Sequence, residues 1–307
     1  MITILAGGTG SAKLVRGVAE LTDDLTVISN VGDNIWLYGL YVCPDIDTIL
    51  YALSGIVDKK RGWGIQNDTF NSLDQLSRHG APIWFSLGDR DLATHVLRTQ
   101  RIKQGDTLSK ITDSMRRSLG ISPRIIPATD DQVTTTILTN KGRMHIQEFW
   151  VKNRGQPQVR GVAFEGSDSA LPNEDALKAI KRSKMVIIAP ANPVSSIGPM
   201  LAVRGIRQAL VEKREKVVAV SPIIGESAVS GPALKYMKAL GLENSPYGVA
   251  KYFGEAVGNF VIAKSDHGLA AKIRRLGMAV LETDIMMKNT QAEIRLARYL
   301  VSRLKGR

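Results

Sequence analysis

The chain opens on a short apolar, β-branched run, ITILA (2–6), followed by a glycine turn, by AKLVRGVAELT with apolar residues at helical spacing, and by a second short run, LTVIS (25–29). Strand, glycine turn, helix and strand within about 30 residues is the pattern of a βαβ unit with parallel strands. It returns as KMVIIAP (184–190), a helical stretch over 198–212, and KVVAVSP (216–222). NFVIA (259–263) and MAVLET (278–283) add two strands, separated by the helical DHGLAAKIRRLG. A last amphipathic helix is predicted over roughly 290–304, after the capping pair Asn289-Thr290. Between these runs, DTILYALSGIV, NDTFNSLDQLSRHG, DRDLATHVLRTQRI and TLSKITDSMRRSLG each place apolar residues at i, i+3, i+4. DQVTTTILTNKGRMHIQEFWV (131–151) instead alternates apolar and polar residues around Asn-Lys-Gly, which predicts a β-hairpin. The expected fold is therefore α/β, a single Rossmann-like domain over 1–307. Its parallel sheet is built from 1–30 and 184–285, and a largely helical insertion with a hairpin, over about 46–170, contributes to the substrate cleft.

Composition narrows the function classes. With 307 residues, 44% of them hydrophobic, the chain can bury a sizeable core. MITILAGGTGSAKL starts apolar, but glycines interrupt it too soon for a signal peptide and no basic lead precedes it. No apolar run approaches the roughly 18 residues of a membrane span. A single cysteine, Cys43, rules out an intrachain disulfide and suits a reducing compartment, and beside Val42 it reads as a small core residue. A cytoplasmic protein without a membrane partner is expected. The net charge of +12 calls for an anionic partner. Its positive residues are scattered, and neither an RNA-recognition signature nor zinc-ligand spacing accompanies them. The expected partner is an anionic small molecule and not nucleic acid.

Four motifs carry candidate chemistry. In AGGTGSAKL (6–14), glycines directly after the first strand let backbone approach an anion at a helix N-terminus. It is neither a Walker loop nor a full G-x-G-x-x-G, since Lys13 stands where the third glycine would be. A phosphate-binding turn centred on Gly8, Thr9 and Gly10 is expected, a plain tight turn being the alternative. In NVGDNIWLYGLYVCPDIDT (30–48), Asp33 follows the second strand, at the sheet edge where open α/β folds bind ligands. Asp45 and Asp47 fall at the start of a helix that Pro44 opens, where either acid alone reads as a cap. Three acids converging on one face, with no histidine or cysteine cluster, point to Mg²⁺ on Asp33, Asp45 and Asp47, clamping a diphosphate. In SLGDRDLATH (86–95), Asp89 and Arg90 precede a helix, and Arg90 is placed to grip a phosphate unless the cluster is an exposed cap. In APANPVSSIGP (189–199), Asn192, Ser195 and Ser196 offer donors and Gly198 a close backbone approach. With SPIIGESAVSGPA (221–233) it puts three polar, glycine-containing loops on one sheet edge, which marks a nucleotide-sized cleft. His79, His95, His145 and His267 are far apart in sequence and read individually as structural.

In this order GGTGSAKL, NVGDN, CPDIDT, RGWGIQNDTF, GDRDLATH, IQEFWVKNRG, NPVSSIGP and SPIIGESAVSGPA resemble the 2-phospho-L-lactate transferase family, over nearly the whole chain. The resemblance implies transfer of a phospholactyl group from lactyl-2-diphospho-5′-guanosine to the ribityl chain of Fo, the 7,8-didemethyl-8-hydroxy-5-deazariboflavin, with release of GMP. It further implies Mg²⁺, a role in coenzyme F-420 biosynthesis, and a homodimer. On that basis the metal sits on Asp33, Asp45 or Asp47, and Asp47 or Asp45 orients the attacking hydroxyl. Trp36, Tyr51, Trp63 and Phe70 become candidates to stack on the flat deazaflavin, and the two later loops hold the guanosine side. Two positions depart from the family: Asn34 where it often reads aspartate, and Ser86 where many relatives carry a basic residue on the deazaflavin. The donor's acid stays open among lactate, phosphoenolpyruvate and glycerate. A nucleotide-sugar-binding regulator of the gluconeogenesis-factor type, which shares the GGTG opening, and a nicotinamide-dependent oxidoreductase are the rival readings.

Overall fold

The computed structural model describes residues 1–229 and 231–303. Seven strands form one fully parallel sheet: β1 (Ile2–Ala6), β2 (Leu25–Ser29), β3 (Arg124–Pro127), β4 (Met185–Ile188), β5 (Val217–Val220), β6 (Asn259–Ala263) and β7 (Ala279–Thr283). Their order is β7-β6-β5-β4-β1-β2-β3, so the chain winds one way from β1 to β3 and the other way from β4 to β7. This is the Rossmann arrangement, with its topological switch between β1 and β4. Register follows the apolar runs: Ile4 pairs with Val27 on one side and with Ile187 on the other. β1, β2, β4, β5 and β6 are buried at every position because helices cover both faces.

Five helices matter for the site: α1 (Gly8–Ala19), α2 (Pro44–Leu53), α3 (Asn71–Arg78), α4 (Asp89–Lys103) and α5 (Leu108–Ser118). The C-terminal helix, Thr290–Ser302, is capped by Asn289, whose Oδ1 accepts from Ala292 N at 2.9 Å; the predicted end at residue 304 lies outside the described residues. This helix packs on α1. Its Glu293 is buried and takes Arg16 on both oxygens, at 2.6 and 3.1 Å.

The strand runs read from the sequence hold, and four details differ. RIIP, missed in the pattern, is the edge strand β3, so the excursion over about 46–170 returns to the sheet at 124–127. Four residues ending in Pro127 make a weak signal, and proline is tolerated there because β3 is an edge. The predicted hairpin forms from Thr134–Thr139 and Gly142–His145, but Val159–Glu165 pairs on its other side to make three antiparallel strands. IQEFWV does not continue the hairpin: Glu148–Lys152 closes into a π-helical turn. The helical stretch over 198–212 is broken at Gly205, whose φ of 84° is left-handed, into Gly198–Ala202 and Ile206–Glu212.

Candidate active site

The loops that leave β1, β2, β4 and β5 all open at the carboxyl edge of the sheet. Around Gly7 three of them touch. A Cβ built there would lie 2.8 Å from Asp45 Oδ2, 2.8 Å from Ser196 Cβ and 3.2 Å from Asn30 Cβ. Glycine is required because the acid helix, the loop after β2 and the loop after β4 close on that one backbone position. Gly8 adopts a φ of 74° as α1 begins, and no acidic side chain occupies the first turn of α1. Ser11 Oγ accepts from Gly7 N at 3.1 Å and donates to Gly7 O at 2.9 Å, which holds the turn. The predicted residues Gly8, Thr9 and Gly10 thus form the first helical turn, at the positive end of the α1 dipole. Gly62 packs against Thr9, so the loop carrying Trp63 borders this turn.

After β4, Pro193–Ile197 forms a π-helical turn capped by Asn192, whose Oδ1 accepts from Val194 N and Ser195 N at 3.1 Å each. Its other atom, Nδ2, is buried without a partner, a donor left for an anionic ligand. Ser195 and Ser196 are largely buried in this turn. Gly198 is pressed between Phe164 and Tyr252, 2.6 and 2.7 Å from where a Cβ would sit, so its role is close packing.

The three acids do not converge. Asn30 Nδ2 donates both to Asp33 Oδ1, at 2.8 Å, and to Asp45 Oδ2, at 2.9 Å, and so ties two of them together. Asp47 turns away and is clamped by Arg98 of α4, with Nη1 at 3.0 Å from Oδ2 and Nη2 on Oδ1. The reason is helical geometry: both acids lie in the first turn of α2, and positions two apart point to different faces. Among the described residues no group of three histidine, cysteine or acidic side chains is arranged around one point.

Burial, and then the neighbouring Asp45 carboxylate, push Asp33 well above the usual carboxylate range, against the Asn30 hydrogen bond. Burial likewise pushes Asp45 up to about 6, against Asn30 and the Gly8 backbone. Two like-charged carboxylates, Asp45 buried and Asp33 half-buried, with only an amide between them match the donor set of a hard divalent cation, which takes one or two carboxylates and fills its shell with waters and substrate phosphates. Asp33 and Asp45 therefore fit Mg²⁺, and Asp47 stands outside that pair.

A stability consequence follows. Both carboxyls are raised in the folded state, so neither costs anything below about pH 4; the penalty at Asp45 grows as pH rises to about 6, and Asp33 adds to it in the same direction. For Asp45 alone the full penalty is on the order of 3 kcal/mol. In metal-free urea titrations, Asp45→Asn is expected to gain stability over the wild type progressively from pH 4 to 7.5, and saturating Mg²⁺ to erase the gain. A gain that did not change with pH would remove the charge clash as its cause.

Beside the acid pair lies an apolar cavity of about 270 Å³, lined by Tyr51, Trp63, Phe85, Leu87 and Trp150 and by the carboxylate of Asp47. Gln147 connects the two: it lines the cavity and its Nε2 lies 3.4 Å from Asp33 Oδ2. Ser86, one of the family departures, is in the cavity wall. Of the four aromatic residues singled out in the sequence, Tyr51 and Trp63 line the cavity. Trp36 instead packs on Tyr41 with ring centres 5.0 Å apart, and Phe70 stacks under the Arg61 guanidinium, which also braces Trp63. Phe85, Trp150, Gln147 and Arg98 were missed because each reaches the site from an element distant in sequence from the acids, and Asn30, inside the NVGDN motif, because its amide gave no signal of bridging two carboxylates.

Asp89 and Arg90 do not line the cavity. Asp89 caps α3, accepting from Ser72 N at 2.8 Å, Asn71 N at 3.0 Å and the Thr69 hydroxyl at 2.6 Å, and these bonds hold its carboxyl well below the usual range despite some desolvation. Asp68 returns the arrangement by capping α4 through Arg90 N at 2.8 Å and Asp91 N at 3.0 Å. The Arg90 side chain is exposed and reaches Gln66 O at 3.3 Å. The GDRD motif is thus built into a reciprocal cap, with Gly88 packed where a Cβ would collide with Asp68. Gly88→Ala is expected to displace that cap and cost about 1 kcal/mol, read as a fall of a few degrees in melting temperature.

Fold and site define a Rossmann-like α/β protein with an anion-binding type of helix start, an acid pair and an aromatic cavity at the topological switch point. Residues 2–300 match the family model described as 2-phospho-L-lactate transferase CofD. The chain is 41% identical over 300 residues to the 2-phospho-L-lactate transferase of Methanosarcina mazei, covering 97% of this chain and 98% of that one. It is 42% identical to that of Methanopyrus kandleri over 97% and 95% of the two chains. It is also 37% identical to a phosphoenolpyruvate transferase of Streptomyces coelicolor over 97% and 96%. A Bacillus halodurans protein of the UPF0052 family shares the fold, with a TM-score of 0.66 at 16% identity over 98% of each chain. The chain belongs to the 2-phospho-L-lactate transferase family and is a transferase. No helix among the described residues is long and apolar enough to cross a membrane.

Proposed function

We propose that the protein transfers a phospholactyl group from lactyl-2-diphospho-5′-guanosine to a ribityl hydroxyl of Fo, releasing GMP, in coenzyme F-420 biosynthesis. The observation that carries this reading is the junction of a flat-walled aromatic cavity with the acid pair, through Gln147 and the first turn of α2. A planar deazaflavin fits between Trp63, Phe85, Tyr51 and Trp150, and its polar arm then lies toward Asp47 and the acid pair. The donor's diphosphate lies over the first turn of α1, with Asn192 Nδ2 and the serines of the following turn as further donors. Loop residues 221–229 and 231–233 take the guanosine side.

In the reaction the ribityl oxygen bonds to the lactyl-bearing phosphorus and gives up its proton to solvent, the bond from that phosphorus to the bridging oxygen breaks, and GMP departs with that oxygen. Such transfers depend on positioning and charge neutralisation more than on covalent help. Mg²⁺ held by Asp33 and Asp45 would offset the charge of the diphosphate and of the departing GMP. Asp47 accepts a hydrogen bond from the acceptor hydroxyl and aligns it, while the aromatic walls exclude water that would hydrolyse the donor. The same reaction can be written for donors carrying phosphoenolpyruvate or glycerate, and the relatives include enzymes named 2-phospho-L-lactate transferase and phosphoenolpyruvate transferase. A cytoplasmic homodimer completes the proposal.

The test mixes the protein with Fo, lactyl-diphosphoguanosine and Mg²⁺ and follows GMP together with the new phosphodiester. One GMP per phosphodiester, abolished by a chelator, supports the reading. Tight nucleotide binding without product would overturn it in favour of a binding protein.

A further inference from the structure

Along one side of the cavity, α4 carries a buried row, Asp91, His95 and Arg98, that no step above has used. Arg98 is wholly buried, holds Asp47 on both oxygens, and faces His95 Nδ1 at 3.2 Å through Nη1. A guanidinium only donates, so His95 Nδ1 accepts and the ring proton sits on Nε2. Nε2 has no hydrogen-bond partner; Asp91 Oδ1 stands 3.4 Å from it while accepting the Tyr51 hydroxyl at 2.7 Å. The spacing of 91, 95 and 98 stacks these groups along one face of α4. Asp47, Tyr51, Asp91 and His95 line the cavity, whereas Arg98 does not.

A carboxylate held bidentately keeps further lone pairs for a ligand but loses its freedom to rotate. We propose that Arg98, backed by His95, is a positioning residue that fixes Asp47 as an oriented hydrogen-bond acceptor for the hydroxyl of the acceptor substrate. The inference rests on the transferase reading given above. A merely structural ion pair would act on folding alone. A positioning pair acts on the acceptor substrate and on turnover while leaving the nucleotide donor untouched, because Arg98 and His95 stand on the cavity side of α2 and not by the α1 turn.

The test uses the full chain and compares Arg98→Met, Arg98→Lys, His95→Asn and His95→Leu in steady-state kinetics with Fo, lactyl-diphosphoguanosine and Mg²⁺, alongside melting temperatures. Arg98→Met is expected to raise KM for Fo about thirtyfold and lower kcat about a hundredfold, with donor KM within about twofold. Arg98→Lys supplies a point charge without the fork, so it recovers most of the Fo affinity and little of kcat. His95→Asn, whose Oδ1 replaces Nδ1 as acceptor, retains more Fo affinity than His95→Leu. Should Arg98→Met fail to fold, the lysine variant and the two His95 variants still decide. Wild-type kinetics in Arg98→Lys, or losses spread evenly over both KM values and kcat with a lowered melting temperature, would overturn the proposal. Absence of transfer by the wild type would instead remove the transferase reading beneath it.

Discussion

Asp45→Asn is expected to lower turnover about a thousandfold while raising the melting temperature of the metal-free protein. The first effect follows from losing one of the two carboxylates that fit the cation, in a site whose chemistry is charge neutralisation. The second follows from the electrostatics of the empty pair. Asp33 and Asp45 lie side by side, share one amide donor, and are both pushed upward by desolvation and, at Asp33, by the neighbouring charge. Replacing one of them relieves that clash and keeps the shape, so about 1–3 kcal/mol of stability is recovered near neutral pH. On the proposed cation site, the same variant is also expected to lose any stabilisation by Mg²⁺, which would be about 2.7 kcal/mol at a hundredfold excess over Kd. Calorimetry with and without Mg²⁺, paired with the GMP assay, reads both effects. An active Asp45→Asn variant would remove Asp45 from the cation site.

Asp47→Asn, two residues along the same helix, is expected to lose activity and stability together. Arg98 is fully buried and has Asp47 as its carboxylate partner, so neutralising Asp47 strands a guanidinium in the interior. Breaking a buried pair from one side costs roughly 3–5 kcal/mol, more than a surface pair ever returns. Turnover should fall at least about a hundredfold and KM for Fo should rise with it, because the acceptor's hydroxyl loses its oriented partner. Opposite signs of stability change at Asp45 and Asp47 would be the signature of one site divided between a cation and a guanidinium. If both substitutions stabilised the protein, the Arg98 clamp would not be the partner that Asp47 needs.

Much of this was legible locally. Short apolar runs marked six of the seven sheet strands and a period of 3.6 residues the helices between them, since the strands are buried on both faces and each helix on one. The glycine turn was legible because only glycine tolerates the left-handed φ of Gly8 and the close approach at Gly7. The split of the acids was legible too, in retrospect: positions 45 and 47 on one helix cannot share a face. A cap was the alternative reading for Asp89, but the helix it caps was not legible, because the N–H donors belong to Asn71 and Ser72, across the loop.

By itself, then, the sequence determined the parallel sheet, the carboxyl edge where its loops gather, and the residue types available there. Those features depend on short-range periodicity and on the steric freedom of glycine. Tertiary structure alone decided which charge meets which. It placed Arg98 on Asp47, set Asn30 between Asp33 and Asp45, and brought Phe85 and Trp150 together with Tyr51 and Trp63 into one cavity. The Arg98–Asp47 pair joins positions 51 apart, and in a low-dielectric interior such pairings, and not the residue types, determine what each carboxylate can hold.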